Sequence, residues 1–102
     1  MSQYVIGVDF GTDSVRSVIL DAATGREEAS RVPPFPRWSR GEFCDPAANR
    51  FRQHPLDHMD SLAESIRGAL ESAPHTRDHI TAVGVDTTGS TPAPVDREGT
   101  VL

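Results

Sequence analysis

The sequence predicts an α/β fold: an antiparallel meander at the N-terminus, one crossover helix, and a fourth strand parallel to the first. Three observations predict it. Apolar, β-branched runs separated by short turns extend from Tyr4 to Val32. The stretch Pro55–Ala73 carries apolar residues at helical spacing. A further β-branched run, Ile80–Val85, follows it, and a strand–helix–strand order favours parallel pairing through a right-handed connection.

In chain order, Tyr4–Phe10 is mostly apolar and reads as a strand. Ser14–Asp21 reads as the second, with Val15, Ser17 and Ile19 facing one way and Arg16, Val18 and Leu20 the other. Only Gly11-Thr12-Asp13 separates them, so the two should pair as an antiparallel hairpin. Asp21–Gly25 is a second turn, and Arg26–Val32 a third, more polar strand nearer an edge. Prolines at 33, 34 and 36 exclude regular structure there. The segment from Pro33 to Arg52 is therefore expected as a long irregular loop, packed down by Phe35, Trp38, Phe43 and Phe51. Two roles stay open for it: a surface flap pinned by aromatics, or one wall of a ligand cleft.

The helix Pro55–Ala73 should bury a face made of Leu56, Met59, Leu62, Ala63, Ile66, Leu70 and Ala73. Pro55 suits its first turn and Pro74 marks its stop. Parallel pairing of Ile80–Val85 with Val5–Phe10 would bring Asp9 and Asp86 to one sheet edge, where α/β sheets bind ligands. Thr87–Pro94 is a loop of small hydroxyl residues and prolines. Val95–Leu102 reads as a hairpin whose second strand the chain does not complete, so continuation of the domain is expected.

Composition narrows the function. The 102 residues suffice for one small domain. A net charge of −5 argues against nucleic acid or an anionic membrane as main partner. All ten basic residues are arginine, so no P-loop lysine, Schiff-base lysine or lysine general base exists in this chain. Cys44 is the single cysteine, which rules out a disulfide framework and a cysteine metal cluster. No run approaches the roughly 20 apolar residues of a membrane span, and no basic stretch followed by a long apolar run opens the sequence, so no secretory leader is expected. A cytoplasmic location is expected.

The chemistry concentrates in Asp9–Arg16. Gly11 lets backbone approach a ligand, and the turn's N–H groups with the Thr12 and Ser14 hydroxyls suit phosphate oxygens. Asp9, at a strand end, suits a hydrated Mg²⁺. Arg16 either neutralises phosphate charge or, by strand alternation, faces solvent. A plain hairpin turn that needs glycine is the alternative. The pattern is neither a Walker loop nor a dinucleotide fingerprint, because Gly-Lys-Ser/Thr and G-x-G-x-x-G are both missing and a strand follows the turn. After Ile80–Val85, which reads as a buried strand, Asp86, Thr87, Thr88, Ser90 and Thr91 offer donors and acceptors suited to a polyhydroxylated ligand, or form a capped, proline-stiffened turn. His54 and His58 have no third metal ligand at a recognisable spacing and are read as structural or solvent-facing. Cys44 is read as a packed thiol.

Val5–Arg16 resembles the first phosphate motif of the sugar kinase/Hsp70/actin superfamily. Within it the chain is similar to the FGGY carbohydrate kinases, and among those to the ribulokinase group. The further stretches that carry this are Pro36-Arg37-Trp38 with Gly41-x-Phe43-Cys44-Asp45, Phe51–Pro55, and Gly84–Pro94. The resemblance implies a ribonuclease-H-like lobe facing a second lobe, with ATP, Mg²⁺ and sugar between them. The reaction it implies is transfer of the γ-phosphoryl of ATP to L-ribulose or a related ketopentose, a step in arabinose catabolism. By position, Asp9 matches the residue near the metal. Gly11, Thr12, Asp13 and Ser14 match the γ-phosphate turn, with Arg16 beside it. Thr88, Gly89 and Ser90 match the sugar loop, with Trp38 and Arg37 as cleft neighbours. The general base and the adenine site are expected outside this segment, so residues 1–102 count as part of one lobe and no catalytic base is assigned. Homo-oligomerisation is a further expectation for the full-length protein. The alternatives are another FGGY pentose or polyol kinase, and a non-catalytic phosphate- or sugar-binding module.

Overall fold

The structure, a computed structural model, describes residues 2–89 and 92–102. It contains strands β1 (Tyr4–Phe10), β2 (Val15–Asp21) and β3 (Glu27–Arg31), then a short helix α1 (Pro36–Ser39). Next come β4 (Cys44–Asp45), a 3₁₀ turn (Pro46–Ala48), β5 (Arg50–Phe51) and the long helix α2 (Pro55–Ser72). A second 3₁₀ segment (Pro74–His79) leads into β6 (Ile80–Thr87).

The main sheet is mixed, in the order β3-β2-β1-β6. The β1–β2 and β2–β3 pairs are antiparallel and β1–β6 is parallel, as the hairpin spacing and the crossover helix predict. Asp9 pairs in register with Asp86 on one side and with Arg16 on the other. The expected edge pairing of Asp9 and Asp86 is therefore present.

The core lies between α2 and the β2–β3 half of the sheet. Val15, Ser17 and Ile19 of β2 are fully buried, and Tyr4, Ile6 and Val8 of β1 nearly so. This follows the alternation read in β2. Full burial of Ile19 or Phe35 contributes about 1.5–3 kcal/mol each.

Four expectations need correction. The segment after Pro33 is not wholly irregular, because Pro36 sits in the first turn of α1, where its missing N–H costs nothing. The β4–β5 ladder adds regular structure further on. The four aromatics do not pack alike: Phe35 is fully buried and Trp38 half-buried, whereas Phe43 and Phe51 are 56% exposed. Both of the exposed rings belong to the small β4–β5 hairpin, which pairs only with itself.

The third correction concerns α2. Its buried residues are Asp57, Ser61, Ser65 and Ala69, with Ala73 as C-cap, while Leu56 and Met59 are exposed. Close approach to the sheet explains this. The Ser17 and Ser65 hydroxyls share a 2.6 Å hydrogen bond and the Ser61 hydroxyl donates to the Pro34 carbonyl, so only small side chains fit on that stripe. Leu62, Ile66 and Leu70 flank it, partly buried.

The fourth is β6. It is not a buried strand here, since α2 does not cover it, and Val83 and Val85 are largely exposed. In the C-terminal segment the expected hairpin reduces to one bridge, Val95↔Val101, around a turn in which the Asp96 carboxylate accepts from the Glu98 and Thr100 N–H groups.

Candidate functional site

The turn Gly11–Ser14 leaves β1 at the end that carries Asp9. Gly11 N–H donates to the Ser14 carbonyl at 2.8 Å, and a Cβ on Gly11 would sit 3.3 Å from that same oxygen, so the turn closes where a side chain would crowd it. The Thr12 and Asp13 carbonyls of the turn are also engaged. Phe35 N–H donates to Asp13 O, and the Gln53 side-chain amide donates to Thr12 O. Among the described residues, no acceptor takes the Thr12, Asp13 or Ser14 N–H groups. The turn is thus held by its Gly11 N–H and its Thr12, Asp13 and Ser14 carbonyls, while its remaining three N–H groups meet no acceptor among the described residues. That polarity suits an anion.

The alternation of β1 buries Tyr4, Ile6 and Val8 in the core and leaves Asp9 exposed on the opposite face. Asp9, Arg16 and Asp86 line one concavity there, about 570 Å³ in volume, floored by Gly7 and Gly84. Arg16 is exposed and pairs with Glu27 at 2.9 Å, which realises the solvent-facing alternative while keeping it beside Asp9. The Asp86 carboxylate accepts from Thr87 N–H at 2.9 Å. No described residue donates a hydrogen bond to the Asp9 carboxylate, and no described group of three His, Cys, Asp or Glu side chains converges. A caged, all-protein metal site is therefore not built among the described residues. A hydrated Mg²⁺, which needs only one or two carboxylates beside water and phosphate, fits the free Asp9 oxygens.

Thr12 and Trp38 meet in a second cleft, of about 630 Å³. Arg52, Gln53, Pro92 and Pro94 line it too. Sequence reasoning did not single out Arg52 or Gln53 as site residues; their place beside the Thr12 turn comes from the chain folding back after β5. Thr88 and Gly89 follow the end of β6, and Ser90 lies outside the described residues, as does Thr91. Arg37 does not line this cleft. Its guanidinium pairs with Asp57 at 2.9 Å and Asp60 at 3.4 Å.

Asp57 is the residue the sequence reading missed. It is fully buried, and its carboxylate accepts from Arg37 N–H (3.3 Å), Trp38 N–H (3.1 Å) and Arg37 Nη1 (2.9 Å). Burial pushes the carboxyl pKa up, but the Arg37 guanidinium and the two N–H donors outweigh it and hold the group below the usual carboxylate range. The hydrogen bond to Asp57 in turn raises Arg37, against the lowering effect of its desolvation. A carboxylate at helical spacing with Ser61 and Ser65 was the available signal. His58 is stacked between Phe10 and Phe35, at 5.5 and 4.7 Å between ring centroids, and its buried Nδ1 has no hydrogen-bond partner among the described residues. His54 caps α2, its Nδ1 accepting from Leu56 N–H. Cys44 is a half-buried free thiol. No described helix is long and apolar enough to cross a membrane.

No family model matches the chain. Individual relatives do. The chain is 50% identical over 101 residues to a ribulokinase of Vibrio parahaemolyticus, covering 98% of this chain and 18% of that protein. It is 33% identical over 106 residues to a ribulokinase of Halalkalibacterium halodurans, covering 99% of this chain and 19% of the relative. A glycerol kinase of Leifsonia xyli subsp. xyli is 30% identical over 90 residues, 83% of this chain and 15% of that protein. The chain thus spans less than a fifth of the length of these curated relatives. Ribulokinases match it over at least 98% of its length at 33–50% identity, so the chain is similar throughout to a segment of the ribulokinases.

Proposed function

We propose that the chain is part of the first, ribonuclease-H-like lobe of an ATP-dependent kinase that phosphorylates L-ribulose to L-ribulose 5-phosphate. The observation that carries the reading is the in-register placement of Asp9 and Asp86 at the ends of two parallel strands. The Gly11–Ser14 turn and the Thr88–Gly89 loop leave from that same edge. The likeness to ribulokinases over 98% or more of the chain supports the choice of sugar.

In this reading the Thr12, Asp13 and Ser14 N–H groups bind the γ-phosphate, with Arg16 adding positive charge. Asp9 holds hydrated Mg²⁺. Thr88, Gly89 and Ser90 meet the sugar, and Trp38 forms a wall of its cleft. Bound Mg²⁺ supplies charge neutralisation on the transferring phosphoryl group. That group leaves ATP as ADP forms and joins the terminal hydroxyl of the ketose, which gives up its proton. No described residue of this chain is assigned as the base that takes it. Arg37 is a support of Trp38 rather than a sugar contact, because its guanidinium is committed to Asp57.

Phosphoryl transfer depends on holding both sides of the transferred group. The 102-residue chain alone is therefore expected to turn over no substrate. The test of the sugar is a ketose and polyol panel with ATP and Mg²⁺ on the full-length protein. Ribulose preferred by orders of magnitude supports the reading, and glycerol or xylulose preferred to that degree overturns it. The glycerol kinase relative is what favours the second reading, another polyol or pentose kinase of the family.

A further inference from the structure

We propose that Asp57 is a positioning residue for the candidate ligand cleft, holding Trp38 as its wall. The inference rests on the kinase reading above. A fully buried carboxylate must be satisfied by the protein, and Asp57 is satisfied by a neighbouring element rather than by its own helix. Its oxygens take both N–H groups at the start of the Arg37–Trp38 peptide run and one arm of the Arg37 guanidinium. Asp60, on the same helix, adds a second contact to that arm.

Helix α1 is four residues long, too short to set its own orientation. Its bearing on α2 has to come from outside, and the Asp57 carboxylate gripping successive N–H groups supplies it. The consequence reaches the cleft through one residue. Trp38 lines the same cavity as Thr12, whose carbonyl the Gln53 amide holds from the other side. Asp57 therefore sets the distance between an aromatic wall and the phosphate turn without touching the ligand. An aromatic wall at fixed distance suits the C–H face of a sugar.

A merely structural Asp57 and a positioning Asp57 differ in their readouts. In the full-length protein, Asp57→Asn is expected to raise KM for the ketose roughly tenfold while kcat and KM for ATP change by less than about twofold. In a Trp38→Ala background the same substitution should add nothing to the ketose KM, because its effect passes through Trp38. The proposal is overturned if Asp57→Asn adds its full effect to Trp38→Ala, or if it lowers kcat and raises both KM values alike. One measurement needs no variant. The Arg37 and Trp38 amide protons of the wild-type chain should exchange slowly, and exchange at unstructured-loop rates overturns the proposal. If the wild-type protein phosphorylates no ketose, the kinase reading falls. Amide exchange then decides separately whether Asp57 holds Trp38.

Discussion

The two halves of the sheet are built differently. Under α2, every second residue of β2 from Val15 to Ile19 is fully buried. In β6, Val83 is 55% and Val85 65% exposed. Both are β-branched apolar strands, so composition does not separate them; coverage by the helix does. β1 lies between, with one face under the core and Asp9 on the open face. The Gly11–Ser14 turn therefore grows out of the covered half, anchored by Phe35, Gln53 and the Ser14–Pro34 bridge. The Thr88–Gly89 segment follows the end of β6, in the half that α2 does not cover.

The largest effect should come from breaking the covered half. Ile19→Ala removes a fully buried side chain and is expected to cost about 2–4 kcal/mol in denaturant unfolding. If Val85→Ala costs as much, the contrast between the halves is wrong.

Asp57→Ala should come next, at about 1–3 kcal/mol, because it strands the Arg37 and Trp38 N–H groups. The same residue gives a pH signature. Its carboxyl is held below the usual range, so its contribution is complete above the unfolded-chain carboxylate value of about 4 and is lost as pH falls through the lower folded value. Acid unfolding of Asp57→Asn should lack that component. A variant whose stability falls with acid as steeply as the wild type contradicts the assignment.

Gly11→Ala should be milder, near 1 kcal/mol, since its Cβ meets the Ser14 carbonyl at 3.3 Å and the turn must give. Its sharper readout is KM for ATP, which should rise more than KM for the ketose. Val85→Ala closes the series at below about 0.5 kcal/mol, the value for a surface change.

Strand order, the β1–β2 hairpin and the parallel β1–β6 pair were legible because each rests on spacing: a three-residue turn, a period of two, a crossover helix. The buried face of α2 was not. Counting apolar residues at 3–4 spacing selects Leu56 and Met59, yet the sheet accepts the strict four-residue series Asp57, Ser61, Ser65, Ala69 and Ala73. Small and polar residues are invisible to a hydrophobic count, and only the closeness of helix to sheet makes them the interface. The exposure of β6 was hidden for a similar reason, as a β-branched run does not say which helix covers it. At the site, the Asp9–Asp86 edge was readable from topology. The joining of Thr12 to Gln53 and of Trp38 to Asp57 was not, because both contacts cross the proline-rich segment whose path has no periodicity.

In the proposed kinase the covered half of the sheet presents phosphate and metal while the open half meets the sugar. The most direct measurement is the steady-state kinetics of Asp9→Asn in the full-length protein, with Mg²⁺, ATP and ketose varied in turn. Asp9 is exposed and outside the core, so folding should be intact. The account predicts a fall in kcat of roughly 100-fold or more, an increased Mg²⁺ requirement and little change in KM for the ketose. Wild-type turnover and Mg²⁺ dependence in that variant, or a defect confined to the ketose KM, would contradict it.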